Sequence, residues 1–488
     1  MMAERQAVYD HIDTHIGPHI AAIQRLVQQP SISLEKSGLH ECAEVLVANM
    51  VAAGFNEAAV VDVGDGYPGV WGAVDCGKPS TLFIYGHFDV RPVGVEPWSH
   101  PPFSGEVIPF GGFPKVIFGR GAAAQKGPLQ AWINAVGSIL AVEGELPVNL
   151  VFLIEGAELL GSPNYKKLFA AYQDRLAKAS ALYGPKTGQE ASGGVNLVLG
   201  YKGLIYLEMT ASTAASGLGP QGGAVHSATS VLADNPVWRL AHALASMTDP
   251  TGRTVTIPAL QAIMETPKPI EEWERPLLDT MRTSVAGKDP NTVIPGLSPQ
   301  FPVKTFKRDE PAADMLLRYM YGGSFNISGL RSGYTGPGTK SFLLPHTATA
   351  TCDLRVISDT GAEDIVAIIR THLDEAGFPD VTLTVMSAYD WGQTSDRSTL
   401  IQAMLKTLNT WGIPRILWPV QAFGGPWAHF AKHLGIPSLQ GGSPGHGARI
   451  ATSDEFLVIE GDGKVGGLAE IERFYVDLMY QFAEETAG

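Results

Sequence analysis

The side chains best placed to do chemistry are His87 and Asp89, at the end of the stretch TLFIYGHFD (Thr81 to Asp89). Thr81 to Tyr85 are β-branched, aromatic or aliphatic, which predicts a buried parallel strand. Gly86 lets the backbone turn, so that His87 and Asp89 project from the strand's C-terminal end, where open α/β sheets carry their active groups. An imidazole with a carboxylate two residues on suits a metal site, the carboxylate fixing the tautomer or bridging. A surface histidine beside a loop-capping aspartate is the plainer alternative. LPVNLVFLIEGAE repeats the arrangement, a buried strand ending in an acidic turn that contains Glu158.

The elements around these stretches read as an α/β protein. Apolar residues recur at helical spacing over residues 5–28, and a second helix is expected over about 40–54. A strand ending near Val63 and a hairpin-like stretch from Trp71 to Val74 come before the His87 strand. After it runs a Pro/Gly-rich loop, RPVGVEPWSHPPFSGEV, then GRGAAAQKGP (Gly119 to Pro128) and a helix through Leu140. Near residue 205 the pattern changes to alternating strands (LIYLEMTAS, TATATCDLRVIS, DVTLTVMSA) with amphipathic helices over 235–246 and 360–376, an α+β insertion with an antiparallel sheet. The expected domains are 1–204 and 387–488, two parts of one domain with a mixed, mostly parallel sheet flanked by helices, and 205–386, the insertion.

A chain of 488 residues exceeds a single hydrophobic core. Its formal charge of −14 argues against a nucleic-acid or anionic-membrane partner and suits a small-molecule or peptide substrate. The cysteines, Cys42, Cys76 and Cys352, are widely separated and form no CxxC, so neither a disulfide framework nor a thiolate zinc site is encoded. The N-terminal residues lack the apolar region of a signal peptide, and no run is apolar for the roughly 20 residues that span a bilayer. A cytoplasmic protein is expected.

The motifs GHFDV, GRGAAAQKGP, EGAELLGSPN, VHSA followed by NPVWRLAHAL, GYTGPGTK, DLRV and a Gly-rich loop before DEF stand in one order along nearly the whole chain. That set resembles the dizinc metallopeptidases of the carnosinase, aminoacylase and glutamate-carboxypeptidase kind. The resemblance implies a catalytic α/β domain interrupted by a lid or dimerisation domain, and a homodimer formed through the insertion. It makes His87 the first zinc ligand, Asp89 its supporting carboxylate and Glu158 the general base. It also makes His226 an oxyanion-stabilising lid histidine acting across the dimer, and Arg355 the holder of a substrate carboxylate. Asn326 and the loop from Tyr334 to Lys340 fall near the substrate backbone.

The remaining ligand positions depart from the family pattern. The bridging aspartate is matched by Ala124 with Gln125 beside it, the second of two adjacent glutamates by Leu159, a later aspartate by the segment Tyr183 to Pro185, and the last histidine by Ala451. These side chains do not donate to zinc, and His446 is the nearest imidazole to Ala451. No metal or other cofactor is therefore expected. Gln125, Tyr183 and Lys186 are new polar groups near the altered positions, candidates for contact with substrate. The reading that follows is a metal-independent enzyme using Glu158 on a small peptide or an N-acyl or amino-acid-derived substrate, by acyl transfer, cyclisation, elimination or isomerisation. A non-catalytic ligand-binding homologue and a conventional metal-dependent dipeptidase are the alternatives.

Overall fold

The computed structural model describes residues 5–265, 268–334, 336, 338 and 342–487. Two units divide the chain: the first draws on Met1–Gly200, Gln393–Pro419 and Gly425–Gly488, the second on Tyr201–Gly392 and Val420–Gly424.

In the first unit an eight-stranded sheet runs in the order Glu57–Val61, Gly69–Val74, Asn149–Glu155, Thr81–His87, Ala181–Gly184, Ser438–Gln440, Val195–Val198, Arg415–Trp418. Thr81–His87 pairs in parallel with both neighbours, Ile84 lying opposite Phe152 on one side and Tyr183 on the other. Six of its seven residues are buried, as expected for a central strand covered on both faces. Alternation explains the covering. Tyr85 meets Phe430 of the helix Trp427–Leu434 on one face, while Tyr183, in register with Ile84, meets Trp132 of Gly127–Glu143 and Tyr475 of Leu468–Ala487 on the other. Gly127–Glu143 has Pro128 in its first turn, where the missing N–H is harmless, and ends on Gly144 at φ 80°.

The expected helix over 5–28 is broken into Gln6–Thr14 and Ile16–Gln28. Pro18 has no N–H to return to the Thr14 carbonyl, so the ladder fails at that turn. A further hairpin, Val107–Phe110 with Phe113–Phe118, joins Phe456–Glu460 and Gly447–Ala448 in a four-stranded sheet around Phe118 and Phe456.

The second unit has an antiparallel sheet in the order Ser324–Ser332, Thr347–Val356, Gly203–Ser212, Thr382–Tyr389. Every other residue of the two inner strands, including Ile205, Leu207 and Met209 with Ala350, Cys352 and Leu354, joins Leu240 and Ile369 from the helices Pro236–Ser246 and Ala362–Glu375 in one core. The strand Ser324–Ser332 and the helices Pro258–Glu265, Glu274–Val285 and Ala312–Tyr321 were not expected. Among the described residues no helix is long and apolar enough to cross a membrane.

Candidate functional site

The ends of Thr81–His87 and Asn149–Glu155, with the short turn Glu158–Leu160, bring His87, Asp89 and Glu158 together. The Asp89 carboxylate is wholly buried. One oxygen faces His87 Nδ1 at 3.1 Å and accepts the Glu158 N–H at 3.0 Å, and the other accepts the Leu159 N–H at 3.1 Å. Asp89 thereby fixes the imidazole and the turn that carries Glu158. His87 Nε2 then lies 3.6 Å from Glu158 Oε2. Burial works against a charged His87, but Glu158 and the hydrogen bond and charge of Asp89 outweigh it and raise the imidazole to about 9. Burial also raises the Glu158 carboxyl, opposed by His87, Lys186 and Arg91. Lys186 is lowered by its own burial and supported by Glu158. The result is a carboxyl group with an imidazolium against it and Lys186 and Arg91 near by, a set able to take up and return a proton.

Two of the expected substrate contacts, Tyr183 and Gln125, stand in buried positions. Tyr183 is fully buried, tilted against Trp132, edge-on to Tyr475, and its hydroxyl donates to the Gly441 carbonyl at 3.1 Å. It is a core residue with no face for a ligand. Gln125 is 3% exposed, and both ends of its amide are taken: Oε1 accepts the His87 N–H at 2.9 Å and Nε2 donates to the Pro185 carbonyl. It ties the ends of two neighbouring strands together. His446 turns Nδ1 to the Gln189 carbonyl at 2.9 Å, with its ring beside Phe113 and Phe456. Among the described residues, neither His87 nor His446 belongs to a group of three His, Cys, Asp or Glu side chains whose donor atoms could surround one ion.

In the second unit, His226 is exposed and its Nδ1 accepts the Ala228 N–H at 3.2 Å, which leaves Nε2 to carry the proton in the neutral ring. Arg355 has its Nε 4.0 Å from Asp353, while its Nη1 is buried with no hydrogen-bond partner. The same Asp353 accepts from Asn326 Nδ2 at 2.9 Å. Tyr334 is 60% exposed. Of the loop that follows it, positions 335, 337, 339 and 340 lie outside the described residues. Beside Arg355 in charge stands Lys202, which the sequence reading missed. It is 3% exposed, donates from Nζ to the Gly322 carbonyl at 2.5 Å, and is lowered to about 8 by burial first and Arg355 second.

Two carboxylates of the first unit were also missed. Glu155, 1% exposed, accepts from Ser162 at 2.7 Å and from Tyr85, and burial above all pushes it up to about 8. The only hint was an ionisable residue closing an otherwise apolar strand. Buried Glu455 accepts the N–H groups of Ala123 and Ala124 at 3.1 and 3.0 Å and pairs with Arg120 at 3.4 Å. It also accepts the Ala451 N–H at 3.4 Å, so it holds the 122–126 turn to the loop around residue 451. Nothing local in the sequence signals that role.

Comparison with known proteins agrees with this architecture. The Cys-Gly metallodipeptidase dug1 of Schizosaccharomyces pombe is 25% identical over 383 residues, covering 75% of each chain. The Beta-Ala-His dipeptidase of Rattus norvegicus is 39% identical over 100 residues, 20% of this chain and 19% of its own. Among solved structures, the M20 family metallo-carboxypeptidase Sso-CP2 from Sulfolobus solfataricus superposes with a TM-score of 0.76 at 25% identity, covering 96% of this chain and 98% of that one. The model of peptidase family M20/M25/M40 matches residues 83–467, well over half of the sequence, and the chain belongs to that family.

Proposed function

We propose that this family member acts on a dipeptide-like or N-acyl amino-acid substrate by acid–base chemistry centred on Glu158, without the two-metal centre that the resemblance implies. The observation that carries the reading is the direct pairing of His87 Nε2 with Glu158 Oε2 at 3.6 Å, with Ala124, Leu159, the segment Tyr183 to Pro185, and Ala451 where the resemblance places the other ligands. A catalytic zinc site takes about three protein donors. These residues do not fit a pair of zinc ions. The carboxylate of Glu158 takes a proton from the reacting group, the imidazolium of His87 holds the pair's charge balance and can return a proton, and Lys186 lies beside them, where its charge favours the ionised carboxylate. Such a set suits transfer of an activated acyl group, cyclisation, elimination or isomerisation better than hydrolysis of an unactivated peptide bond. The family relatives named for Cys-Gly and Beta-Ala-His dipeptides support the substrate class. Arg355, with an unspent buried Nη1, suits the substrate's carboxylate.

The same reading makes the chain a homodimer built through the second unit. Trp238, Val231 and Leu232, 68%, 82% and 86% exposed there, support an interface. The working compartment is the reducing cytoplasm, in keeping with three free cysteines.

The test is turnover of a panel of dipeptides and N-acyl amino acids with and without chelator, alongside elemental metal analysis of the purified protein. Chelator-insensitive turnover, lost about 100- to 10,000-fold in Glu158→Gln, is expected. Stoichiometric zinc with activity that chelator abolishes and zinc restores would overturn the proposal in favour of a conventional dipeptidase.

A further inference from the structure

The second unit contains a cavity of about 1000 Å³ between the helices Pro258–Glu265, Glu274–Val285 and Ala312–Tyr321, remote in sequence from every residue of the acid–base set. Its wall carries Arg253, Lys268, Arg275, Lys307, Arg308 and Arg318, against only Glu265 and Asp314. The chain as a whole has a charge of −14, so this wall reverses the sign of the surrounding molecule.

Its cations fall into two sets. Lys268 pairs with Glu274 at 2.6 Å, and Arg318 is held by both oxygens of Glu310. Those two are neutralised. Asp314 is paired with Arg282, outside the wall, at 3.3 Å. Among the described residues, Arg253, Arg275, Lys307 and Arg308 have no ion-pair partner. Four unpaired cations against one unpaired carboxylate, Glu265, leave an excess of like charge around one concavity, a cost that a bound anion relieves. The volume matches the upper range of small-molecule pockets, and Tyr321 and Phe325 supply apolar wall for the body of a ligand.

We propose that this cavity binds a small polyanion, a molecule carrying two or more phosphate or carboxylate groups. Guanidinium groups, which form three of the four free cations, grip either oxyanion in a two-pronged hydrogen bond. The site does not depend on the catalytic reading, because none of its residues takes part in that chemistry.

The test uses the full chain in isothermal titration calorimetry at about 0.15 M salt, with inorganic tripolyphosphate, citrate and, as a monoanion control, acetate. Tripolyphosphate or citrate is expected to bind and acetate not. Affinity should fall with added salt, and at least about tenfold in Arg275→Ala/Lys307→Ala/Arg308→Ala, equivalent to loss of about one charge-assisted contact. Tripolyphosphate alone binding would identify a phosphate site, and equal binding of citrate one that reads charge. These side chains are exposed, so the triple variant should fold, and an unchanged circular dichroism spectrum checks that it does. Absence of binding by both polyanions, or binding unchanged in the folded triple variant, would overturn the proposal.

Discussion

Gln125 offers the sharpest test of how the site is held. Its amide joins the His87 N–H to the Pro185 carbonyl, and a Cβ added at Gly86 would stand 2.6 Å from the Gln125 Oε1. Gln125→Ala orphans two buried backbone groups at about 1–3 kcal/mol each, a loss of about 2–6 kcal/mol. Gly86→Ala drives the amide off its partners and adds overpacking of about 1–3 kcal/mol. In the double variant the new methyl at 86 enters space the amide has left, so its stability should lie within about 1 kcal/mol of Gln125→Ala alone, which makes the coupling about as large as the whole Gly86→Ala penalty. Urea unfolding followed by tryptophan fluorescence measures the totals. Because two units need not unfold together, hydrogen exchange of the peptide spanning 81–90 provides the local reading, with faster exchange of the His87 amide in all three variants. Additive penalties, or a Gln125→Ala protein of unchanged stability but weakened ligand binding, would refute the role assigned to this amide and return Gln125 to the substrate contacts.

Lys186→Ala removes a cation that holds the Glu158 carboxyl down. Since the base acts when deprotonated, the acid limb of the pH–rate profile should move to higher pH, and an unmoved limb would detach Lys186 from the site. Lys202 carries a folded-state value of about 8 against an ordinary 10.5, so between these pH values the unfolded chain binds more protons than the folded one and stability rises with pH. The gain is about 3 kcal/mol, and Lys202→Met should remove this rise in denaturation curves taken from pH 8 to 10.5. Tyr183→Phe should lose only the hydrogen bond to Gly441, about 1 kcal/mol, whereas Tyr183→Ala should lose about 3–5 kcal/mol as a core truncation; urea midpoints distinguish the two. A change in substrate KM in the Phe variant, with stability intact, would contradict the core assignment.

What could be read ahead of the structure followed from whether its cause was local. The His87 strand, its turn and the acidic turn at Glu158 are written in contiguous residues, and the structure places these groups at adjoining strand ends. The burial of Tyr183 was not legible because ALYG is buried throughout, so alternation leaves no polar face to tell core from cleft; only pairing with Ile84 decides which way the ring points. The hairpin at 107–118 had a local signal that the surrounding Pro/Gly-rich loop obscured. Gly111 and Gly112, at φ 62° and 89°, form the two-residue turn that the twist of a hairpin favours. Gln125 and Glu455 act through partners 38 to 60 and over 330 residues away, and no spacing rule reaches that far. The basic cavity is the extreme case. Its cations are interleaved with acids along the segment, so the sequence there reads as charge-balanced. Folding sorts the two signs, leaving four cations unpaired around one concavity while Glu274, Glu310 and Asp314 are taken up in ion pairs. Chemistry at a strand end can therefore be anticipated from a motif, whereas a field made by sorting charges becomes visible only once the helices that carry them are placed.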